Sequence, residues 1–237
     1  MHRELHKWYS NDLNKEMQLL VLGHAGMPYI VFPSSRGRYF EYEDAGVPRA
    51  VADKLDRGEV QFFCPDSVDD ESWYNKNIHP HDRVARHVQY ENYILHDVSP
   101  LIRSKNSTPA LGVTGCSFGA FHALNFTLRH PDLLNACVAM SGGWDQKQFL
   151  VGYYDDLCYF NIPVDYIPNM TDPWYLGHLR DHVKITLAAG DSDICLGYNY
   201  EMAKMLGTKG IPHWLDVWGG NEKHDWPLWQ KMARKYF

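Results

Sequence analysis

The feature of the sequence that most constrains the fold is a serine flanked by glycines, at the point where an apolar run meets a helix-like segment. Residues 110–114 form the apolar run, and residues 118–130 have the composition of a helix. A strand that turns directly into a helix leaves little room for side chains two residues before and two residues after the turn. Gly115 and Gly119 meet that requirement around Ser117. We therefore expect Ser117 at the head of the helix, with its Oγ facing away from the backbone.

Apolar runs alternate with helix-like segments along most of the chain. Strands are predicted at 3–9, 16–23, 29–32, 60–64, 110–114, 136–140, 183–189 and 213–218. Helices are predicted at 47–55, 81–102, 118–130, 198–206 and in the last residues up to Phe237. The first two strands are expected to pair antiparallel, and the later alternation predicts an α/β fold, with a mostly parallel central sheet and helices on both faces.

One segment, residues 144–180, interrupts this alternation. It is rich in proline and tyrosine and is too long for an ordinary connection, which is typical of a functional insertion. We expect it to be loop-like. The prediction for the whole chain is a single domain, 1–237, with this segment as an embedded, cap-like insertion.

Two further polar loops follow predicted strands and complete a pattern with Ser117. Gly-x-Ser-x-Gly between a strand and a helix is typical of the nucleophile elbow of α/β-hydrolases, in which an acidic residue and then a histidine follow along the chain. The strand at 183–189 leads into Asp191 and Asp193, and the strand at 213–218 leads into a loop with His224. Because the carboxyl ends of parallel strands meet at one edge of a sheet, these residues are expected to meet there.

These residue types suit nucleophilic catalysis. A serine hydroxyl is a poor nucleophile until an imidazole takes its proton, and the same imidazole can later protonate the leaving group. A carboxylate holds the imidazole in the required tautomer and stabilises its protonated form. The catalytic candidates are therefore Ser117, His224 and one of the two aspartates, either of which could instead cap the turn. The backbone N–H of Phe118 could bind an oxyanion.

Charge and cysteine usage exclude several function classes. The net charge is −6 and basic residues form no run, so neither nucleic acid nor an anionic membrane is expected as a partner. The five cysteines are dispersed without Cys-x-x-Cys spacing, which predicts reduced thiols and a cytoplasmic protein. The N-terminus has no signal-like apolar region, and no apolar run approaches 18 residues, so no membrane segment is predicted.

Several other polar clusters receive structural interpretations. His79, His81 and His87 lack a thiolate or carboxylate at ligand spacing, so they predict a solvated helix start and no metal site. The acidic residues 69–71 are expected to form a solvated loop, and Arg36 to make a surface ion pair. Cys116 is expected to be buried beside the elbow, as packing rather than as a second nucleophile.

At its elbow and its C-terminal end the chain resembles the "putative esterase" family of α/β-hydrolases, which includes S-formylglutathione hydrolases, feruloyl and acetyl-xylan esterases and mycolyltransferases. The matching pieces are Gly115-Cys116-Ser117-Phe118-Gly119, Gly190-x-x-Asp193 and His224-Asp225-Trp226-x-x-Trp229. Weaker matches are Ser72-Trp73-Tyr74 and Tyr90-Glu91-Asn92-Tyr93. The resemblance extends over nearly the whole chain. It implies that Ser117, Asp193 and His224 form the triad, and it favours Asp193 over Asp191.

One departure from the resemblance concerns the oxyanion hole. Many relatives have His-Gly or Asp-Gly after the third strand, whereas this chain has Pro33-Ser34-Ser35-Arg36. The backbone N–H of Ser35 is the first choice for the donor that joins Phe118, with Ser34 and Arg36 as alternatives.

The activity predicted is that of a serine carboxylesterase that uses no cofactor and acts on a small-molecule ester. An acyltransferase with the same triad is the first alternative, and a non-catalytic binding protein on a hydrolase scaffold is the second. Residues 144–180 contain nine aromatic residues in 37, against 14% in the whole chain, which suggests an apolar pocket over the site. The candidate pocket residues are Trp73, Tyr74, Trp144, Tyr153, Tyr154 and Trp174.

Overall fold

A computed structural model describes all residues, 1–237, and is built around one eight-stranded sheet. The strands are β1 (Arg3–Ser10), β2 (Lys15–Leu22), β3 (Met27–Phe32), β4 (Val60–Pro65), β5 (Gly112–Cys116), β6 (Ala136–Met140), β7 (Lys184–Gly190) and β8 (His213–Trp218). Their order across the sheet is β1-β2-β4-β3-β5-β6-β7-β8. β2 is antiparallel to β1 and β4, and all other neighbours are parallel. The prediction of a mostly parallel sheet is confirmed.

Helices cover both faces of this sheet. They are α1 (Glu41–Asp44), α2 (Val47–Ala50), α3 (Ala52–Asp56), α4 (Pro80–Tyr93), α5 (Ser99–Lys105), α6 (Phe118–Arg129), α7 (Asp156–Tyr159), α8 (Pro163–Tyr166), α9 (Pro173–Asp181), α10 (Leu196–Thr208) and α11 (Trp226–Tyr236). Successive residues of a strand point to opposite faces. Accordingly Leu19 and Val21 pack in one core with α4, α5, α6 and α10, while Leu20 and Leu22 pack in another with α2 and α11.

Two predicted helices are divided in the structure. Residues 47–55 form α2 and α3, separated at Val51, whose φ of −120° and ψ of 24° are not helical. Residues 81–102 form α4 and α5, joined by a π-helical turn at Ile94–Val98. Pro100 stands in the first turn of α5 and has no N–H to continue the α-helical ladder, which accounts for the wider turn before it.

The insertion at 144–180 contains more regular structure than expected. It holds α7, α8 and α9, and two of these begin with aspartate side chains, Asp155 and Asp172, that cap backbone N–H groups. Leu150, Cys158 and Ile162 of the insertion are buried in a cluster that also contains Phe118, the first residue of α6. The insertion therefore packs against the start of the helix that follows Ser117. No helix is both long and apolar enough to cross a membrane.

Candidate active site

Ser117 stands between β5 and α6 in a strained turn. Its φ is 55° and its ψ is −118°, a conformation that an L-residue adopts only when its surroundings impose it. The two flanking glycines are explained by close backbone contacts. A Cβ on Gly115 would lie 2.3 Å from the backbone of Gly119, and a Cβ on Gly119 would lie 2.3 Å from the carbonyl oxygen of Phe32. The Gly-x-Ser-x-Gly sequence is thus what allows the turn to form.

His224 reaches Ser117 from the loop after β8. Its Nε2 lies 2.9 Å from Ser117 Oγ, and its side chain is 18% exposed. Asp191 holds this loop, because its carboxylate accepts the backbone N–H groups of Gly220, Asn221 and Glu222 at 3.0, 3.2 and 2.8 Å. These bonds lower the pKa of Asp191. Asp191 therefore shapes the histidine loop and does not itself contact the imidazole.

Asp193 is the carboxylate that contacts His224. Its Oδ1 lies 2.9 Å from His224 Nδ1 and also accepts the backbone N–H of Cys195 at 2.7 Å, while its Oδ2 accepts the hydroxyl of Ser141. Burial raises the pKa of Asp193, but the hydrogen bonds from His224, Ser141 and the Cys195 N–H outweigh it, so the pKa is lowered. The carboxyl group is therefore ionised at neutral pH and faces the imidazole as an anion.

Two backbone N–H groups near Ser117 are free to bind an anion. Phe118 is the first residue of α6, so its N–H has no acceptor within the helix. In the loop after β3, the N–H of Ser34 donates to Glu41 Oε2 at 2.8 Å and that of Arg36 donates to Asp69 Oδ2 at 3.0 Å. The N–H of Ser35, between them, has no protein acceptor.

A family model described as "Putative esterase" matches residues 8–235, nearly the whole chain. The chain belongs to this esterase family. As a member of this family it is an ester hydrolase. No curated protein sequence is similar enough to match it.

Solved structures share the fold of the esterase at low sequence identity. A ferulic acid esterase is 18% identical with a TM-score of 0.78, over 99% of this chain and 96% of its own. An S-formylglutathione hydrolase from Agrobacterium tumefaciens is 14% identical with a TM-score of 0.74, over 99% and 92%. A fluorophosphonate-binding serine hydrolase from Staphylococcus aureus is 16% identical with a TM-score of 0.71, over 99% and 96%. The predicted α/β-hydrolase fold is confirmed.

A cavity of about 410 Å³ opens beside Ser117 in the esterase. Its aromatic wall consists of Tyr74, Phe118, Trp144, Phe149 and Tyr198, and Ile194 and Cys195 also line it. Its polar wall consists of Ser35, Asp145, Gln146, Lys147 and Gln148. The Tyr74 hydroxyl donates to Ser35 Oγ at 2.9 Å across the cavity edge. The cavity is large enough for a small ester and offers both apolar and hydrogen-bonding surface.

Two of the six predicted pocket residues, Tyr74 and Trp144, line this cavity, and the other four lie elsewhere. Trp73 is fully buried and packs edge-on against Phe121 of α6. Tyr153 lines a separate cavity and donates its hydroxyl to Asp155. Tyr154 is held on the surface by a hydrogen bond to Asp165, and the exposed Trp174 contacts His178 of α9 with their rings tilted at 42°. Tyr153, Tyr154 and Trp174 contact other residues of the insertion, whereas the first residues of the insertion reach the cavity.

Two polar residues expected to be solvated are buried. Asp69 is 1% exposed, and its carboxylate is bonded to His122 of α6 and to the backbone N–H of Arg36. His87 is 3% exposed on the inner face of α4, where burial lowers its pKa to about 3. The Arg36 side chain makes the surface ion pair that was expected, with Asp70. The partners of Asp69 and His87 are distant in sequence, so local composition did not reveal them.

Asp193, Cys195 and His224 are the one group of residues close enough to share a metal ion, with ligand atoms within 4.8 Å of one another. His224 would have to give up its hydrogen bond with Asp193 to bind one. Cys195 is half-buried, and burial, followed by the charge of Asp193, raises the pKa of its thiol to about 12. Cys116 is buried, as expected, and this burial raises the pKa of its thiol well above the usual value. Neither thiol is activated as a nucleophile.

Proposed function

We propose that this esterase hydrolyses carboxylic esters through an acyl-enzyme on Ser117, with His224 as general base and acid and Asp193 as the group that orients His224. The observation that carries the proposal is the position of the His224 ring, whose two nitrogens lie 2.9 Å from Ser117 Oγ and 2.9 Å from Asp193 Oδ1. Hydrogen-bond distance on both sides is what a proton transfer relay of this kind requires.

The reaction has two halves. Ser117 Oγ attacks the ester carbonyl carbon, and its proton passes to His224 Nε2. The tetrahedral intermediate collapses with cleavage of the carbon–oxygen bond of the ester, and the leaving alkoxide takes the proton from His224. Water then attacks the acyl-enzyme and gives a proton to His224. The second tetrahedral intermediate collapses, Ser117 Oγ takes that proton from His224, and the acid is released. The Asp193 carboxylate stabilises the imidazolium in both halves.

The oxyanion is proposed to bind to the N–H groups of Phe118 and Ser35. Among the residues of the loop 33–36, Pro33 has no N–H, and the N–H groups of Ser34 and Arg36 already donate to carboxylates. This leaves Ser35 as the second donor. A preorganised donor of this kind is typically worth about 100- to 1000-fold in kcat.

The segment 144–180 is proposed to act as a cap-like insertion of a single domain, in which Trp144 and Phe149 form part of the binding wall. The mixed lining suits a small-molecule ester with an apolar portion. Nothing in the proposed chemistry requires a cofactor, because the serine, the imidazole and water supply the nucleophiles and the proton transfers.

The test is turnover of a panel of short, long, aromatic and thiol esters by the wild type and by Ser117→Ala, together with labelling by a fluorophosphonate. We expect Ser117 to be the labelled residue and Ser117→Ala to lose several orders of magnitude in turnover. The exposed Ser192→Ala variant serves as a control, because Ser192 bonds only to Asn221 and Glu222 at the surface. Normal turnover by Ser117→Ala would exclude the proposal, whereas a wild type that turns over none of these esters would favour a binding protein.

The same assay distinguishes a hydrolase from an acyltransferase. Alcohol acceptors added at increasing concentration divert the acyl group from acid to new ester only if the acceptor competes with water at the acyl-enzyme. We expect the acid to remain the main product. A dominant ester product at low alcohol concentration would instead assign the chain to acyl transfer.

A further inference from the structure

Asp69 and His122 form a buried pair immediately behind the loop that contains Ser35. Asp69 follows β4, His122 lies on α6, and His122 Nε2 is 3.0 Å from Asp69 Oδ1. Their side chains are 1% and 2% exposed. A carboxylate buried to this degree requires partners for both oxygens. The second oxygen, Oδ2, accepts the backbone N–H of Arg36 at 3.0 Å, and Arg36 directly follows Ser35.

The direction of the Ser35 N–H is set by the bonds on either side of it. Glu41 holds the preceding residue, Ser34, through both its N–H and its hydroxyl. Asp69 holds the following residue, Arg36, whose φ of 59° is unusual for a residue with a Cβ and persists only when neighbouring groups impose it. Loss of the Asp69 bond would remove the restraint on one side of the Ser35 peptide.

His122 also contacts the other half of the proposed oxyanion hole. Its ring meets the ring of Phe118 edge-on at 5.0 Å and stacks on the ring of Phe32 at 5.7 Å. Phe118 supplies the first proposed N–H donor, and Phe32 ends the strand that leads into the Ser35 loop. The imidazole thus bridges the two chain segments that carry the two donors, while its Nε2 fixes the carboxylate of Asp69.

We propose that Asp69 and His122 are positioning residues that hold the Ser35 amide toward the reacting carbonyl; this inference rests on the catalytic roles proposed above. Neither residue touches the substrate, and Asp69 acts through the Arg36 N–H. When Ser117 Oγ bonds to the carbonyl carbon, the carbonyl oxygen gains a full negative charge, and only then does the position of the donor matter strongly. A looser Ser35 amide therefore lowers kcat with little change in KM.

Asp69→Ala tests the proposal against Asp70→Ala. Asp70 is the neighbouring residue, and its carboxylate pairs with the exposed side chain of Arg36 rather than with its backbone. We expect Asp69→Ala to lower kcat about 10- to 100-fold, up to the range seen for loss of an oxyanion donor, with KM within about 3-fold. Asp70→Ala should keep the wild-type kcat.

A trifluoromethyl ketone ester analogue provides a readout that a purely structural role would not alter. Ser117 Oγ adds to its carbonyl carbon, the proton passes to His224, and the oxygen becomes an oxyanion in the proposed hole. We expect Asp69→Ala to weaken this inhibitor by the same factor as kcat/KM. Activities are expressed per fluorophosphonate-titrated Ser117, so partial unfolding alone does not change kcat or the inhibition constant. Wild-type values of both constants in Asp69→Ala would therefore overturn the proposal.

Conservative variants separate positioning from folding. In Asp69→Asn, the amide oxygen can accept the Arg36 N–H and the amide nitrogen can donate to His122, so most of the lost kcat should return. Where Asp69→Ala does not fold, the comparison of His122→Phe with His122→Gln decides, because only glutamine can donate to Asp69. Equal kcat in His122→Phe and His122→Gln would refute the proposal.

The outcomes separate this inference from the proposed reaction. If Ser117→Ala stays active, the reaction itself is misassigned. If the enzyme is labelled at Ser117 and active but Asp69→Ala has the wild-type kcat, only the positioning role is rejected.

Discussion

The Ser141 hydroxyl donates a hydrogen bond to Asp193 Oδ2 in the interior of the esterase, on the side of the carboxylate away from His224. Ser141 Oγ in turn accepts the indole N–H of Trp229 at 2.8 Å. The Trp229 ring also meets the His224 ring edge-on at 5.0 Å. The tryptophan five residues after His224 thus supports Asp193 through Ser141 and the imidazole through its ring, which gives this part of the C-terminal sequence pattern a physical role.

Ser141→Ala should weaken both catalysis and acid stability. Its hydroxyl is one of the donors that keep the pKa of Asp193 low, so its loss raises that pKa and leaves a buried carboxylate oxygen without a partner. The expected cost is about 1–3 kcal/mol in the free energy of unfolding, with a kcat/KM about tenfold lower.

The sign of the pH effect follows from linkage. The pKa of Asp193 is lower in the folded chain than its ordinary value of 3.8, so its stabilising contribution is present above that value and is lost as the pH falls through the folded pKa. In Ser141→Ala the folded pKa of Asp193 lies closer to 3.8, so this contribution is smaller and its loss is complete at a higher pH. Urea unfolding between pH 3 and 7 measures this, with exposed Ser192→Ala as the control. Identical acid stability in wild type and Ser141→Ala would contradict it.

Asp193→Asn and Asp191→Asn should have very different effects, although the two residues are separated by one position. An amide at 193 favours the wrong imidazole tautomer, and a loss of roughly 10⁴-fold in kcat is expected from comparable triads. Asp191 accepts three backbone N–H groups of the histidine loop, and an amide oxygen can still accept some of them. We expect Asp191→Asn to lose less than about tenfold, with a lower melting temperature. If Asp191→Asn is the more impaired enzyme, the assignment of Asp193 is wrong.

His87 should make the esterase less stable at mildly acidic pH. Burial among Trp73, Phe121 and His122 lowers its pKa from 6.5 to about 3. Between these values the unfolded chain binds a proton that the folded chain does not. The free energy of unfolding therefore decreases as the pH is lowered, by at most about 1.4 kcal/mol per pH unit. His87→Phe should flatten this dependence between pH 6.5 and 3, whereas the exposed His96→Gln should not. Unchanged slopes in His87→Phe would count against the buried neutral imidazole.

Much of the fold and the positions around Ser117 could be predicted because they are encoded locally. A strand, a glycine-flanked serine and a helix adjoin one another in sequence, and Asp193 and His224 stand in the loops that follow β7 and β8. Strands β6 and β8 have the predicted bounds for the same reason, since Asn135 and Ser141 flank β6, and Pro212 and Gly219 flank β8.

What sequence reasoning missed depends on contacts between distant residues. Asp69 stands in an acidic run that suggests solvent, yet its partners are His122, 53 residues later, and the Arg36 N–H, 33 residues earlier. The helices of the insertion do have local signals, because Asp172 followed by proline is a helix start of known type, whereas the high proline and tyrosine content of the segment is typical of a loop. Which aromatic rings face the cavity depends on how those short helices pack.

Substrate preference should therefore depend on Phe149 and Tyr198 and not on the exposed rings of the insertion. Phe149 packs against Tyr74 and Phe118 at the cavity wall, with ring centroids 4.8 and 5.7 Å apart, and Tyr198 lines the cavity from α10. Truncating either to alanine enlarges the cavity and removes apolar contacts worth about 1–3 kcal/mol for a substrate that uses them. We expect the ratio of kcat/KM between butyryl or aromatic esters and acetyl esters to change in Phe149→Ala and Tyr198→Ala.

Tyr154→Ala and Trp174→Ala are the matched controls, because both rings belong to exposed residues outside the cavity. In these two variants the ratio of kcat/KM between butyryl or aromatic esters and acetyl esters should stay within about twofold of the wild-type ratio. A larger change would require that the truncated ring contacts the substrate. Parallel measurement of all four variants on acetyl, butyryl and aromatic esters separates the cavity wall from the outer surface of the insertion. A wild-type ratio in Phe149→Ala and Tyr198→Ala would mean that the acyl group binds along the polar wall formed by residues 145–148.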